Sequence, residues 1–121
     1  MAKILTVDDS AFMRRFIKTT LRKAGYTEIY EAADGIQALE KYNQLKPNLV
    51  LLDITMPNMN GLEALKAIRA ADAEANVVMC TAMGQESMVI EAIRSGARDF
   101  IVKPFKPERV LNTVVSIIGK P

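Results

Sequence analysis

The sequence predicts an α/β fold in which a doubly wound parallel sheet of five strands is flanked by five helices. Two observations predict it. Short β-type runs alternate with longer amphipathic segments along the whole chain, and one run, Leu49-Val50-Leu51-Leu52, is apolar on both faces. Strict alternation of strand and helix implies right-handed crossovers and parallel pairing. A strand with two apolar faces is covered by helices on both sides, as the centre of such a sheet requires.

Each element follows from its own residues. The first strand, Lys3–Val7, is an apolar run closed by two adjacent acids, Asp8 and Asp9. The first helix spans about residues 11–24, with Phe12, Phe16, Ile17, Thr20 and Leu21 on one stripe and Arg14, Arg15, Lys18 and Arg22 facing away. Cations in its last turn and Gly25 just beyond stop it. The second strand, Glu28–Glu31, leads through Ala32 and Ala33 to a second helix at about 35–44. The central strand, Leu49–Leu52, is followed by Asp53, and Asn60-Gly61 punctuates the start of a third helix at about 61–70. The fourth strand, Asn76–Cys80, runs into Thr81, and the fourth helix, at about 85–95, ends on Arg94-Ser95-Gly96. The fifth strand, Asp99–Val102, precedes Lys103 and Pro104, and a fifth helix covers about 107–118.

Composition narrows the function classes. The chain has 121 residues, half of them hydrophobic, which suits one domain with a single good core. Sixteen basic and fourteen acidic residues leave a net charge of +2, too even to point to nucleic acid or a membrane surface. The absence of histidine excludes imidazole metal sites and histidine acid/base catalysis within this chain. A single cysteine, Cys80, cannot form an internal disulfide, so a reducing cytoplasm is the expected setting. The first apolar run is four residues long and is followed at once by acids, unlike a signal peptide. No stretch approaches the roughly 20 apolar residues of a membrane span.

In a doubly wound sheet, sites form at the carboxyl ends of the strands. Four of the five strand ends carry chemistry here: Asp8 with Asp9, Asp53, Thr81 and Lys103. Each has a plainer role available. Asp9 or Ser10 can cap the first helix, Asp53 can open a turn before Pro57, Thr81 can be a loop hydroxyl and Lys103 a solvated lysine. Capping does not explain two adjacent acids, and the coincidence at four ends favours a site. Neighbouring carboxylates repel by roughly 4 kcal/mol at about 4 Å and an effective dielectric near 20, so a hard divalent cation is the simplest reconciliation. Oxygen ligands without histidine disfavour zinc and suit Mg2+, with Mn2+ as the alternative. Metal, ammonium and hydroxyl are the parts phosphoryl transfer requires. Asp53, alone after the central strand, is then the candidate nucleophile, and Asp8 and Asp9 form the metal-binding pair. Phe100, Met79, Met83 and Met88 are read as packing residues.

With Val7-Asp8-Asp9-Ser10, Leu51-Leu52-Asp53-Ile54-Thr55-Met56-Pro57, Asn60-Gly61, Thr81-Ala82, Gly96-Ala97 and Lys103-Pro104-Phe105 in this order and spacing, the chain resembles the response-regulator receiver domains of two-component signalling. Its Cys80-Thr81-Ala82-Met83-Gly84-Gln85 and Asp99–Phe105 segments are most like those of the single-domain chemotaxis regulators. The resemblance implies one receiver domain over residues 1–121 and a flavodoxin-like sheet of order 2-1-3-4-5. It makes Asp53 the phospho-acceptor, with Mg2+ held by Asp9, by Asp8 (directly or through water), by Asp53 and by the backbone carbonyl of Thr55. Lys103 and Thr81 would bind the phosphoryl group, the Lys103–Pro104 bond would be cis, and Thr55 and Met83 would border phosphoryl access. Thr81 and Phe100 would form a switch that alters the face of the fourth helix, fifth strand and fifth helix. Phe100 stands where tyrosine is common in the family, so a partner hydrogen bond through a ring hydroxyl is not available here.

The implied partners are a separate sensor histidine kinase of the chemotaxis type, the flagellar motor switch protein or another output protein, and a phosphatase, with the protein itself a monomer. Because the chain stops just after its fifth helix, no output domain is expected. A phosphorelay intermediate that passes the group to another histidine protein is the alternative. The protein would assist its own phosphorylation and dephosphorylation without being a turnover enzyme. A phosphatase of the haloacid-dehalogenase type is disfavoured because Thr55 stands where that family places an acidic residue. A flavodoxin-type cofactor binder is disfavoured because Asp8 and Asp9 would repel a flavin phosphate.

Overall fold

A computed structural model describes residues 2–121. Its elements run β1 (Lys3–Val7), α1 (Ala11–Ala24), β2 (Glu28–Ala32), α2 (Gly35–Leu45), β3 (Leu49–Asp53), α3 (Gly61–Ala71), β4 (Val77–Thr81), α4 (Glu86–Arg94), β5 (Asp99–Val102) and α5 (Pro107–Ile118). The five strands form one parallel sheet of order β2-β1-β3-β4-β5, as the resemblance implied. β3 lies at its centre and every one of its residues is buried, which is why its sequence shows no polar face. Two boundaries differ from the sequence reading in a way that matters. Asp53 and Thr81 are the last residues of their strands rather than the first beyond them, because Asp53 pairs with Cys80 and Thr81 with Val102.

The period of two along each strand sorts side chains into two layers. Leu5, Val7, Val50, Leu52, Val77 and Met79 pack under α2, α3 and α4 with Tyr42, Leu65, Ile68 and Ala92. Ile4, Leu49, Leu51, Val78, Cys80 and Ile101 pack under α1 and α5 with Ile17, Leu21, Val110 and Val114. Continuing that alternation to the strand ends puts Asp8, Asp53 and Lys103 on the α1/α5 side. Thr81, Phe100 and Val102 fall on the α4 side.

The helix stops and starts behave as their residues dictate. Ser10 caps α1, its side chain accepting from the Met13 backbone, and Gly25 closes the helix in the left-handed region at φ 114°. Asn60 and Glu63 form a capping box at the start of α3. Gly61 has a packing reason as well: a Cβ there would overlap the carbonyl oxygen of Asp53 and the backbone of Ile54. Only glycine lets α3 begin hard against the end of β3.

The stripe read for α1 needs correction. Ile17 and Leu21 are buried, but Phe12 is 78% exposed and borders an open surface groove with Pro104 and Phe105. Arg14 does not face away. Its guanidinium lies partly buried, pairing with Glu31 at 3.0 Å and donating to the Asp8 carbonyl at 2.7 Å. Met79 is fully buried as read, but Met83 is 86% exposed and Phe100 is 36% exposed, so neither of these two is a core residue. No helix among the described residues is long and apolar enough to cross a membrane.

Candidate functional site

The carboxyl ends of β1, β3 and β5 converge. Oxygen atoms of Asp8, Asp9 and Asp53 lie within 4.8 Å of one another. Lys103 reaches in from the end of β5, its Nζ 3.0 Å from Asp8 Oδ2 and 3.4 Å from Asp53 Oδ2. Asp8 and Asp53 are each 5% exposed, whereas Asp9 faces solvent. Local chain geometry fixes the first of these: the Ser10 backbone donates to Asp8 Oδ1 at 2.9 Å, while Arg14 holds the Asp8 carbonyl. The Thr55 backbone donates to Asp53 Oδ1 at 3.4 Å. The Lys103–Pro104 peptide bond is cis.

Charge is unevenly tolerated here. Burial lifts the Asp53 carboxyl from 3.8 to about 6, and the negative charge of Asp8 adds to the lift while Lys103 opposes it. Burial would pull the Lys103 ammonium down, but its hydrogen bond to Asp8 and the charges of Asp53 and Asp8 outweigh that and leave it raised. One ammonium therefore serves two buried acids, with a third acid at the mouth. The donor set is all oxygen and carries an excess of negative charge, which fits a hard divalent cation such as Mg2+. Cys80, beside Asp53 in the sheet, is no competing nucleophile, since burial pushes its thiol up to about 12.

Thr81 and Phe100 stand apart from this cluster. Thr81 Oγ1 donates to Gln85 Oε1 at 2.9 Å, with the Ala82 carbonyl 3.2 Å away. Thr81, Phe100, Val102, Val89 and Ile90 line one apolar groove between α4 and β5. Met83 also borders that groove, and Thr55 is exposed beside Asp53. Three participants were missed by the sequence reading: Arg14, Ser10 and Gln85. Ser10 was read as a possible cap but not as a partner of Asp8. The signal for Gln85 was its place four residues after Thr81 at the start of α4, where a side chain can fold back on the preceding turn.

A parallel sheet with a carboxylate cluster and one lysine at its C-terminal edge defines a phosphate-handling or metal-handling α/β domain. The family described as the response regulator receiver domain matches residues 4–115, and the chain belongs to that family. Among its relatives, the chemotaxis protein CheY of Thermotoga maritima is 54% identical over 112 residues, covering 93% of both chains. The chemotaxis protein CheY of Bacillus subtilis is 56% identical over 112 residues, again covering 93% of both. A chain of the crystal structure of the CheX–CheY–BeF3–Mg2+ complex from Borrelia burgdorferi superposes with a TM-score of 0.91 at 38% identity, covering 96% of this chain and 88% of that one.

Proposed function

We propose that this protein is a CheY-like chemotaxis response regulator in which Asp53 accepts a phosphoryl group from a sensor histidine kinase. The observation that carries the reading is the bridge made by Lys103 between Asp8 and Asp53, with Asp9 completing the acid cluster. Asp9, Asp8, Asp53 and the Thr55 carbonyl would hold Mg2+, which when bound neutralises the cluster and the phosphoryl oxygens. The remaining chemistry belongs to the chain. An Asp53 carboxylate oxygen bonds to phosphorus as the phosphorus–nitrogen bond to the donor imidazole breaks. The electron pair leaves with that nitrogen, which takes a proton from solvent. Lys103, already anchored between the acids, supplies a positive charge to the transferred group without reorganising. The buried floor limits water on one side, and Thr55 and Met83 border the approach on the other.

Thr81 is the proposed reporter of the modified state. Its hydroxyl turns toward the phosphoryl group, and the space it leaves admits the half-exposed ring of Phe100, which lines the same groove. The covalent group shifts this equilibrium only through its differential interaction with the two arrangements. The altered α4–β5–α5 face then binds the flagellar switch protein or another output protein. The likeness to CheY from two organisms along nearly the whole chain supports chemotaxis as the setting. The Borrelia relative in complex with CheX, BeF3 and Mg2+ supports a metal-dependent activated form and a further partner of phosphatase type.

The test uses a small phosphodonor with and without Mg2+, followed by intact-mass measurement. A Mg2+-dependent adduct on the wild type, absent from Asp53→Asn, is the expected result; an unmodified wild type refutes the reading. Tighter binding of the phosphorylated form to flagellar switch protein tests the chemotaxis setting separately.

A further inference from the structure

The Gln85 side chain is the only link by hydrogen bonds, among the described residues, between the β4–α4 turn and the β3–α3 loop. Its Oε1 accepts from Thr81 Oγ1 at 2.9 Å and from the Ala82 backbone at 2.8 Å, while its Nε2 donates to Thr55 Oγ1 at 2.6 Å. The Ala82 N–H can only donate, so the carboxamide oxygen must face that turn. Thr81 must then be the donor in its own bond, and the amide nitrogen must face Thr55. Gly84, at φ 90°, turns the chain so that a residue at the head of α4 folds back onto Thr81.

A threonine hydroxyl has one proton. While it is given to Gln85, it cannot be given to an oxygen at Asp53, and Thr81 sits on the sheet face opposite that carboxylate. We propose that Gln85 is a positioning residue, a latch that holds the Thr81 hydroxyl away from Asp53 and so restrains the activated arrangement. This rests on Asp53 being the phospho-acceptor. Of the three hydrogen bonds Gln85 makes, the one from Thr81 is the latch, while those to Ala82 and Thr55 hold the amide in place to receive it. It differs from the switch pair in being a competitor for Thr81 rather than a follower of it.

The experiment titrates BeF3 with Mg2+ into the intact protein, followed by backbone amide resonances. Wild type is expected to bind and Asp53→Asn is not. Loss of one competing hydrogen bond in Gln85→Ala should tighten apparent BeF3 affinity by about three- to tenfold. Gln85→Glu keeps the acceptor oxygen for Thr81 and Ala82 and should give no tightening. In a Thr81→Ala background, Gln85→Ala should change affinity by less than about twofold. If wild type fails to bind BeF3, the assignment of Asp53 falls and the latch with it. If wild type binds but Gln85→Ala is unchanged or weaker, or tightens equally without Thr81, the latch is overturned while Asp53 stands.

Discussion

Replacing Asp53 with asparagine removes the charge that the metal-free site holds at greatest cost. Its carboxyl is lifted from 3.8 to about 6 by burial and by Asp8, against the pull of Lys103. A carboxyl raised on folding makes the folded state bind the extra proton. Stability from this group is therefore fully present below the unfolded value and is lost as pH rises through about 6. A lift of roughly two pH units corresponds to about 3 kcal/mol at 1.36 kcal/mol per unit. The attraction of Lys103 is already contained in that lift, so a net gain of up to about 3 kcal/mol is expected near neutral pH. Urea unfolding in EDTA measures it, at about pH 4 and about pH 7. Wild type should lose stability between those values, and Asp53→Asn should lose markedly less. Saturating Mg2+ should reverse the order, because a ligand bound only by the folded state stabilises it in proportion to occupancy and affinity. Equal or lower stability of Asp53→Asn in EDTA would refute the view of the site as a set of carboxylates in excess.

Three further outcomes are expected. Lys103→Ala leaves Asp8 and Asp53 facing each other without their shared cation, and should cost about 1–3 kcal/mol in EDTA and sharply reduce phosphodonor labelling; Mg2+ should recover much of the stability. Gly61→Ala should lower the urea midpoint by an amount corresponding to about 2 kcal/mol or more, since the added carbon meets the Asp53 carbonyl and α3 must shift. In α1, Leu21→Ala should cost about 2–5 kcal/mol by thermal or urea unfolding, whereas Phe12→Ala should stay within about 0.5 kcal/mol, reporting which of the two apolar residues the core uses.

Much of this molecule was legible because its pattern is strict. The β3 run has no polar face, the glycines at 25 and 96 stop their helices, and the four chemistry-bearing strand ends announce themselves by position. Strand order was a different matter. Nothing in the spacing of runs says that β1 sits between β2 and β3, and the family resemblance supplied it. Strand ends were missed by one residue at Asp53 and Thr81 because a ladder is closed by backbone pairing, which polar side chains do not reveal. The α1 stripe misplaced Phe12 because periodicity records which residues share a face, not how much of that face is covered. Arg14 was read as solvated for a similar reason. Its apolar stem can lie along the helix while its head reaches Glu31 and the β1–α1 turn. Gln85 offered only its spacing of four residues from Thr81, a weak signal, since an amide at a helix start is ordinary until the loops it joins are seen together.

The assignment of the acids and Lys103 to one layer, and of Thr81 and Phe100 to the other, has an evolutionary corollary. Groove positions other than Thr81 and Gln85 can be resurfaced for a new client while the reactive side is left undisturbed, because a sheet-thick partition stands between them and the hydroxyl at its rim is their shared gatepost.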